Sequence, residues 1–256
     1  MNRMGLMFVA VLITFGPGSA GGDPGVATGA WPDGDAVLGA VDANAGSRNK
    51  KLEASMIIHG RRGTRTVRSR SWIEGTRQSF TEFLAPPREK GTKMLKQEDR
   101  LWTYTPDTDR IIKISGHLLR QAVMGSDLSY EDLLEDPELS ALYHAETAGE
   151  DTVLGRPCWI LDLTSRGGDI AYDTRRVWVD QERSVLLREE RYAKSGTLLK
   201  TTEVKEVKEV DGRYIAHHVI FRDILKGGDG TEFQLETIDF NVEIPSHVFT
   251  KAALRR

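Results

Sequence analysis

The stretch EDRLWTYTPDTDRIIKISG, residues 98–116, decides the fold. Trp102 and Tyr104 lie two residues apart, and Ile112 and Ile114 repeat that spacing after a Pro-Asp-Thr-Asp turn. Residues two apart in a strand point to the same face of a sheet. The stretch therefore predicts a β-hairpin with large apolar side chains on one face and polar groups on the other. That face packs either against a protein core or against a bound ligand.

The same period continues on both sides of this hairpin. Short joints rich in Gly, Pro and Asp separate the apolar runs, and such joints make successive strands antiparallel neighbours. The sequence predicts a meander with strands at 52–59, 64–74, 77–84, 91–97, 100–105 and 110–115, followed by strands at 141–151, 157–164, 174–180, 184–193, 197–209, 213–222 and 231–241.

One strand pair has an ambiguous pattern. The stretch KTTEVKEVKEVDG, residues 200–212, spaces its valines as a helix would. The runs on either side favour a long hairpin with a bulge instead. A sheet with this many antiparallel strands tends to curl or to close on itself.

Two segments have helical patterns. In residues 34–44, Leu38 and Val41 fall on one helical face, and Asp33 or Asp35 can cap the start. The second segment, residues 116–136, interrupts the strands in the middle of the chain.

This second segment predicts two short helices around a loop. Ser129 followed by Asp132 resembles a capping box, with Asp in place of the usual Glu. Helices at these two points of the chain have to lie against the curved sheet or at its open end.

The N-terminus is typical of an exported protein. Residues 1–20 contain one cation, an apolar run of about twelve residues and small residues before a cleavage site after Ala20. An uncleaved anchor is the alternative. We predict a signal peptide at 1–20, a flexible linker at 21–30 and a single domain at 31–256. The only cysteine is Cys158, so there is no intramolecular disulfide. A bacterial periplasm is the simplest location.

Several classes of function find no support in the sequence. The formal net charge of −3 argues against a nucleic-acid binder. The six histidines show no metal-ligand spacing. No nucleophile elbow or phosphate-binding loop is present. Cys158 is predicted to be a small, buried apolar residue, since the sequence identifies no general base that could activate its thiol. We expect no metal, no cofactor and no catalytic residue.

What remains is a large set of apolar residues at strand spacing in the first half of the chain. The simpler interpretation is an ordinary packed core. The other is a concave apolar cavity for an acyl chain, covered by the 116–136 segment, because aromatic and Met side chains make an adaptable lining. The candidate lining residues are Met56, Ile58, Trp72, Phe83, Met94, Trp102, Tyr104, Ile112, Ile114, Leu118 and Met124.

Four stretches carry a resemblance to a known family. They are SWIEGTRQSFTEFLAPPREKGTKMLKQEDRLWTYTPDTDRIIKISG (71–116), MGSDLSYEDLL (124–134), RPCWILDLT (156–164) and FTKAALRR (249–256). The chain resembles the LolA-like superfamily of outer-membrane lipoprotein-sorting proteins over residues 35–256. It is most similar to the larger branch, often encoded beside exporters of the resistance-nodulation-division type.

The resemblance implies a mostly β fold with a few helices. A strongly curved antiparallel sheet would form an incomplete barrel, with helices as a lid over a hydrophobic cavity. In the family, an arginine on an early strand holds the lid closed, and Arg68 or Arg70 is the candidate here. Ser126, Asp127 and Tyr130, together with Glu131, would shape the lid or contact a membrane partner.

The resemblance also implies a function. The expectation is a non-enzymatic, monomeric periplasmic carrier of lipid or lipoprotein acyl chains, with an inner-membrane exporter and an outer-membrane acceptor as candidate partners. A partner-binding accessory module of an exporter, without cargo of its own, is the alternative. A hydrolase is the third class.

Overall fold

A computed structural model describes residues 31–46, 48–60, 63–135, 138–168 and 170–256. These residues form one sheet of 13 strands, arranged in the order β6-β5-β4-β3-β2-β1-β13-β12-β11-β10-β9-β8-β7. The strands are β1 Asn49–Gly60, β2 Gly63–Glu74, β3 Gln78–Ala85, β4 Lys93–Gln97, β5 Arg100–Thr105, β6 Arg110–Ile114, β7 Tyr143–Val153, β8 Arg156–Ser165, β9 Thr174–Asp180, β10 Leu186–Tyr192, β11 Leu198–Val210, β12 Arg213–Asp223 and β13 Thr231–Phe240.

The sheet consists of two meanders, β1–β6 and β7–β13, that are joined where β1 pairs antiparallel with β13. Its edges are β6 and β7, which do not pair with each other in the described part of the chain. The sheet is therefore curved, antiparallel and not closed, which confirms the predicted fold class. The bulged hairpin predicted around residues 200–212 is also confirmed, because the register of β11 and β12 shifts near Glu206.

The two faces of the sheet are covered by different elements. Cross-strand partners share a face, so the register sorts the side chains. We call the face that carries Ala54, Met56 and Ile58 the inner face, and the face that carries Trp72 and Trp102 the outer face.

Helix α1 (Gly34–Ala45) packs on the inner face of the second meander. It begins as predicted, because the Asp33 side chain accepts a hydrogen bond from the backbone N–H of Asp35 and caps the first turn. Leu38 and Val41 then pack against buried residues of β7, β8 and β9. The predicted capping ambiguity is resolved in favour of Asp33, while the Asp35 carboxylate accepts a hydrogen bond from the Ala145 N–H at 2.8 Å.

The connection from β6 to β7 has to cross the sheet, since these strands are its two edges. It contains 3₁₀ helices Gly116–Arg120 and Val123–Gly125, helix α2 (Tyr130–Leu134) and helix α3 (Leu139–Leu142). We call residues 116–135 the lid segment. Its side chains pack against the inner face of β1–β6. The predicted capping box is confirmed in α2, where Ser129 and Asp132 bond reciprocally.

The C-terminal tail covers the outer face. It forms 3₁₀ helices Ser246–Phe249 and Lys251–Arg255, and its Phe249 and Leu254 are buried against β3, β4 and β5. The predicted signal peptide and linker fall in residues 1–30, which lie outside the described residues. Within the described residues, no helix is long and apolar enough to cross a membrane.

Candidate functional site

An apolar cavity of about 400 Å³ lies between α1 and strands β1, β2 and β10–β13. Its size falls in the range of small-molecule binding sites, roughly 300–1,000 Å³. The lining is mostly aliphatic and aromatic, and it consists of Val41, Asn44, Ala45, Lys50, Leu52, Ile73, Ser184, Val185, Leu186, Thr202, Val204, Tyr214, Ile215, Ala216, Val219, Phe221, Ile238 and Phe240.

The strand period explains how the sheet forms this lining. Leu52 on β1 lies opposite Ile238 on β13, and two residues away Lys50 lies opposite Phe240. All four side chains point to the inner face and are only partly buried. Further along β1, Met56 is covered by the lid segment and only 8% exposed. One strand face thus passes from a covered core to an open apolar cavity.

The cavity is flanked by α1 and not by the lid segment. Val41, Asn44 and Ala45 come from the last turns of α1, and no described residue of the lid segment contributes to the lining. None of the eleven lining residues proposed from the sequence lies here either.

The space beneath the lid segment is occupied by protein side chains. Met56, Ile58, Phe83, Met94 and Ile114 lie together on the inner face, as the sequence pattern suggested. Leu118 and Met124 of the lid segment pack against them, and Val123 is only 3% exposed. In this structure the simpler interpretation holds for these seven residues, which form a packed core. Their contact with an acyl chain stays a prediction.

The prediction of a single apolar face in the 98–116 hairpin is wrong. Trp102 pairs with Lys113 and Tyr104 with Ile111, whereas Ile114 pairs with Leu101. The two aromatic residues therefore point to the outer face.

Trp72 also points to the outer face, where its ring centroid lies 5.9 Å from that of Phe80. Trp102 and Tyr104 pack there beneath the C-terminal tail. These three aromatic residues do not line a cavity on the inner face. Ile112 shares the face of Ile114 but is 46% exposed.

The predicted arginine latch is also wrong. Arg68 pairs with Ser55 and Arg70 with Glu53, and both arginines point to the outer face, away from the lid segment. There they form ion pairs with carboxylates of neighbouring strands, Arg70 with Glu53 at 2.7 Å and Arg68 with Glu236 at 3.0 Å. Their side chains are 36% and 48% exposed.

The lid segment is held instead by the second meander. Asp132 of α2 accepts hydrogen bonds from Lys200 Nζ on β11 at 2.5 Å and from Arg191 on β10 at 3.1 Å. The Tyr172 hydroxyl donates a third hydrogen bond at 2.6 Å. The Asp132 side chain is 4% exposed. Burial alone would raise its pKa, but the charges of Lys200 and Arg191 lower the pKa to about 2.

A second carboxylate of the lid segment joins the same network. Glu135 forms an ion pair with Arg175, which also binds Glu189 at 2.6 Å. Burial opposes ionisation of Glu189, yet Arg191 and Arg175 lower its pKa to about 2. Because an unpaired buried charge is costly, each member of this network depends on the others. We call Asp132, Glu135, Arg175, Glu189, Arg191 and Lys200 the ionic latch.

The loop before α2 is fixed by a further buried carboxylate. Asp127 is 3% exposed and accepts a hydrogen bond from the Thr231 hydroxyl at 2.6 Å. Lys226 Nζ lies 3.2 Å from the same carboxylate. Ser126 is also buried, so these two side chains shape the lid segment from inside. Tyr130 packs into the core beneath the lid segment. Burial, followed by the charge of Glu89, raises its pKa.

The ionic latch was not among the predicted sites, although the sequence contains a signal for it. Arg175 lies two residues before Val177, and Glu189 lies two residues before Arg191, so each pair shares a strand face. Val177 is buried, which makes charged residues on its face unusual. Charged residues that share a strand face with buried apolar residues are themselves expected to be buried, and buried charges are usually paired.

The described residues carry little that points to catalysis. They contain no group of three or more His, Cys, Asp or Glu placed to hold a metal ion. Cys158 is fully buried, as predicted, and burial raises the pKa of its thiol. A thiol that is kept protonated is a poor nucleophile.

Comparison with solved structures identifies the same architecture. A domain from Vibrio parahaemolyticus, described as an outer membrane lipoprotein-sorting protein domain, is 24% identical with a TM-score of 0.77, over 87% of this chain and 98% of that chain. A DUF1329 family protein from Desulfovibrio piger is 24% identical with a TM-score of 0.78, over 86% and 97% of the two chains. A LolA superfamily protein from Nitrosomonas europaea is 19% identical with a TM-score of 0.72, over 87% and 100%.

Comparison with curated protein sequences finds no match. A model of a protein family described as "Uncharacterized protein" matches residues 75–256. This match covers β3–β13, the lid segment and the C-terminal tail. Because it matches this model over most of its length, the chain belongs to the family that the model describes. It has the fold of the structures described as lipoprotein-sorting and LolA superfamily proteins, as its sequence resemblance predicted.

Proposed function

We propose that the protein is a periplasmic carrier that binds the acyl chains of a lipid or lipoprotein and moves them toward the outer membrane. The observation that carries this proposal is the apolar cavity beside α1, which is about 400 Å³ in volume and is lined mainly by aliphatic and aromatic side chains. The neighbouring structures described as lipoprotein-sorting and LolA superfamily proteins support it as an analogy of fold.

The energetics of an acyl chain explain why a carrier needs such a cavity. A chain of ~16 carbons gains of order 10 kcal/mol on leaving water, at ~0.8 kcal/mol per methylene. A soluble carrier must supply an apolar surface of comparable quality and still release its cargo. Binding and release of this kind require no chemical step, so the proposal assigns the protein no enzymatic activity.

The lid segment has a separate role in this proposal. Its apolar side chains pack on the inner face of β1–β6, and its ionic latch fixes it to β9, β10 and β11. Opening of the lid segment would extend the apolar cavity along the inner face toward Met56. Buried inner-face residues predicted from the sequence, such as Met56, Ile58 and Phe83, would then contact the distal part of a long chain.

The test compares a charge placed inside the cavity with the same charge placed outside it. Ile238 lines the cavity, whereas Ile112 is 46% exposed on a strand at the edge of the sheet. We expect Ile238→Asp to weaken binding of a fluorescent C16 fatty acid at least tenfold, because a carboxylate would be desolvated beside the chain. Ile112→Asp should bind as the wild type does. Equal binding by both variants would contradict the proposal.

Mass spectrometry of lipids extracted from protein purified from the periplasm is the complementary measurement. A carrier should copurify with acyl lipids in the wild type and not in Ile238→Asp. Export itself tests the predicted signal peptide, since cleavage after Ala20 gives a mature N-terminus that sequencing can identify.

One observation favours the alternative of a partner-binding module. Ile224 and Leu225 in the joint between β12 and β13 are 42% and 76% exposed. Neighbouring exposed apolar side chains at a loop tip are suited to contact with another protein. Leu225→Glu should abolish capture of a membrane exporter and leave lipid binding intact if this alternative holds.

A further inference from the structure

The rim of the apolar cavity carries positive charge without a matching negative charge. Among its described lining residues, Lys50 is the one charged side chain. Its ammonium group donates a hydrogen bond to the backbone carbonyl of Ala45, at the end of α1, at 2.7 Å. In the part of the chain that the structure describes, Lys50 forms no ion pair with a carboxylate.

Arg213 lies beside Lys50 at this rim. Its guanidinium donates hydrogen bonds to the backbone carbonyls of Asn44 and Gly46, and it lies 5.3 Å from the ring centroid of Phe240. Phe240 and Asn44 both line the cavity. Among the described residues, Arg213 forms no ion pair with a carboxylate. Its charge is therefore balanced only by the dipoles of these two carbonyls and by the face of the Phe240 ring.

A third cation extends the positive region. The Arg183 guanidinium lies 4.9 Å from the ring centroid of Tyr214, which is also a lining residue. Its side chain likewise forms no ion pair with a described residue. Arg156, a cation on β8, is by contrast paired with Asp180.

Two cations that approach each other without a counter-ion are electrostatically unfavourable. Burial, followed by the charge of Arg213, lowers the pKa of Lys50. A bound anion would relieve this repulsion, and the half-buried position would strengthen its hydrogen bonds. The adjoining apolar cavity requires that the anion be attached to a hydrocarbon.

We propose, building on the carrier function above, that the cargo is an anionic lipid whose phosphate or carboxylate headgroup lies between Lys50 and Arg213. Its acyl chains then lie along Leu52, Ile238 and Phe221. A phospholipid and a free fatty acid share this chemistry. The rim thereby selects cargo by headgroup charge, while the cavity wall contacts only the chains.

The experiment measures binding by titration calorimetry for four ligands. These are dihexanoylphosphatidylglycerol, dihexanoylglycerol with the same chains and no charge, decanoate, and inorganic phosphate. We expect the anionic phospholipid or decanoate to bind at least tenfold tighter than dihexanoylglycerol, since hydrogen bonds to charged groups are the strong ones. Whichever of the two binds tighter identifies a phosphate or a carboxylate headgroup. Inorganic phosphate alone should bind much more weakly than either.

The variants assign this preference to the rim. Lys50→Gln should lose the tenfold preference, and Lys50→Arg should retain it. Lys51→Gln is the matched control, because Lys51 is the next residue of β1 and points to the outer face. Arg213→Gln should also lose the preference. Its thermal unfolding must be recorded alongside, because Arg213 binds backbone carbonyls at the end of α1.

The outcomes separate this inference from the proposed function. If charged and uncharged diacyl lipids bind equally to the wild type and to Lys50→Gln, the headgroup site is refuted and the carrier function survives. If no acyl ligand binds, both fail. Inorganic phosphate that binds as tightly as the phospholipid would refute the lipid headgroup, because the hydrocarbon would then add nothing.

Discussion

Asp132 of the lid segment lies 2.5 Å from Lys200 Nζ, on a strand of the opposite half of the sheet. The same carboxylate accepts a hydrogen bond from the Ser129 N–H, and the Ser129 hydroxyl accepts one from the Asp132 N–H. These two hydrogen bonds form the capping box of α2. One side chain therefore starts the lid helix and also fixes it to the sheet. Local helix formation and docking of the lid segment are coupled through a single buried charge.

Replacing this charge should destabilise the protein substantially. Asp132→Asn leaves Lys200 and Arg191 buried without one of their counter-charges. Removal of one partner from a buried ion pair costs about 3–5 kcal/mol. We expect a decrease of that order in the free energy of unfolding, measured by urea denaturation. Asp162→Asn is the matched control, because Asp162 and Arg176 pair with side chains 44% and 45% exposed. It should change the free energy by less than about 1 kcal/mol.

The ionic latch also predicts a dependence of stability on acid. The pKa of Asp132 in the folded protein is about 2, below the usual value for an aspartate of about 3.9. A depressed pKa stabilises the folded state above the unfolded-state pKa, and this stabilisation is lost as the pH falls through the folded-state pKa. The pKa of Glu189 is also about 2 and acts in the same direction.

On account of this network, the melting temperature should change little between pH 7 and 5. It should fall steeply between about pH 4 and 2. The decline should be shallower in Asp132→Asn, which lacks one of the titrating groups. An identical pH profile for the wild type and the variant would show that Asp132 does not titrate at a lowered pKa.

The position of the latch predicts which arginine controls the lid segment. Arg191 contacts Asp132 and Glu189 from the inner face, whereas Arg68 lies on the outer face. Arg191→Gln should increase the rate of amide hydrogen exchange of residues 124–134 at least tenfold. The reason is that opening of the lid segment then breaks fewer ion pairs and costs less free energy. Arg68→Gln removes the same charge and should leave this exchange unchanged. Faster exchange in Arg68→Gln would restore the latch inferred from the family.

The hairpin of residues 98–116 shows why the side-chain faces could not be predicted from spacing alone. The spacing of apolar residues predicts the strand boundaries and the turn closely, but it does not determine the register between the two strands. In the structure Thr105 pairs with Arg110, so even-numbered residues of β5 lie opposite odd-numbered residues of β6. Trp102 and Ile112 therefore point to opposite faces. A shift of one residue reverses every side chain of a strand, and turn geometry determines that shift.

The cavity illustrates a second limit. Its lining combines residues from both ends of the chain, such as Leu52 and Ile238, which come together because β1 pairs with β13. Each residue is apolar at strand spacing, but so are the residues of the packed core. Local pattern predicted the helix α1, the capping box and the β11–β12 hairpin, since these depend on neighbouring residues. The long-range pairing that separates a core from a cavity leaves no local signature.

The C-terminal tail provides a last prediction. Leu254 is fully buried on the outer face, in one cluster with Phe80, Leu95 and Trp102. Removing most of a buried leucine side chain costs about 2–5 kcal/mol, because the lost transfer energy adds to the energy of the cavity that remains. We expect Leu254→Ala to lower the free energy of unfolding by that amount and to shift the tryptophan fluorescence toward the red, as Trp102 gains solvent contact. Leu225→Ala, at a position 76% exposed, makes the same chemical change and should alter stability by less than about 0.5 kcal/mol. Equal stabilities for the two variants would mean that the tail does not contribute to the folded core.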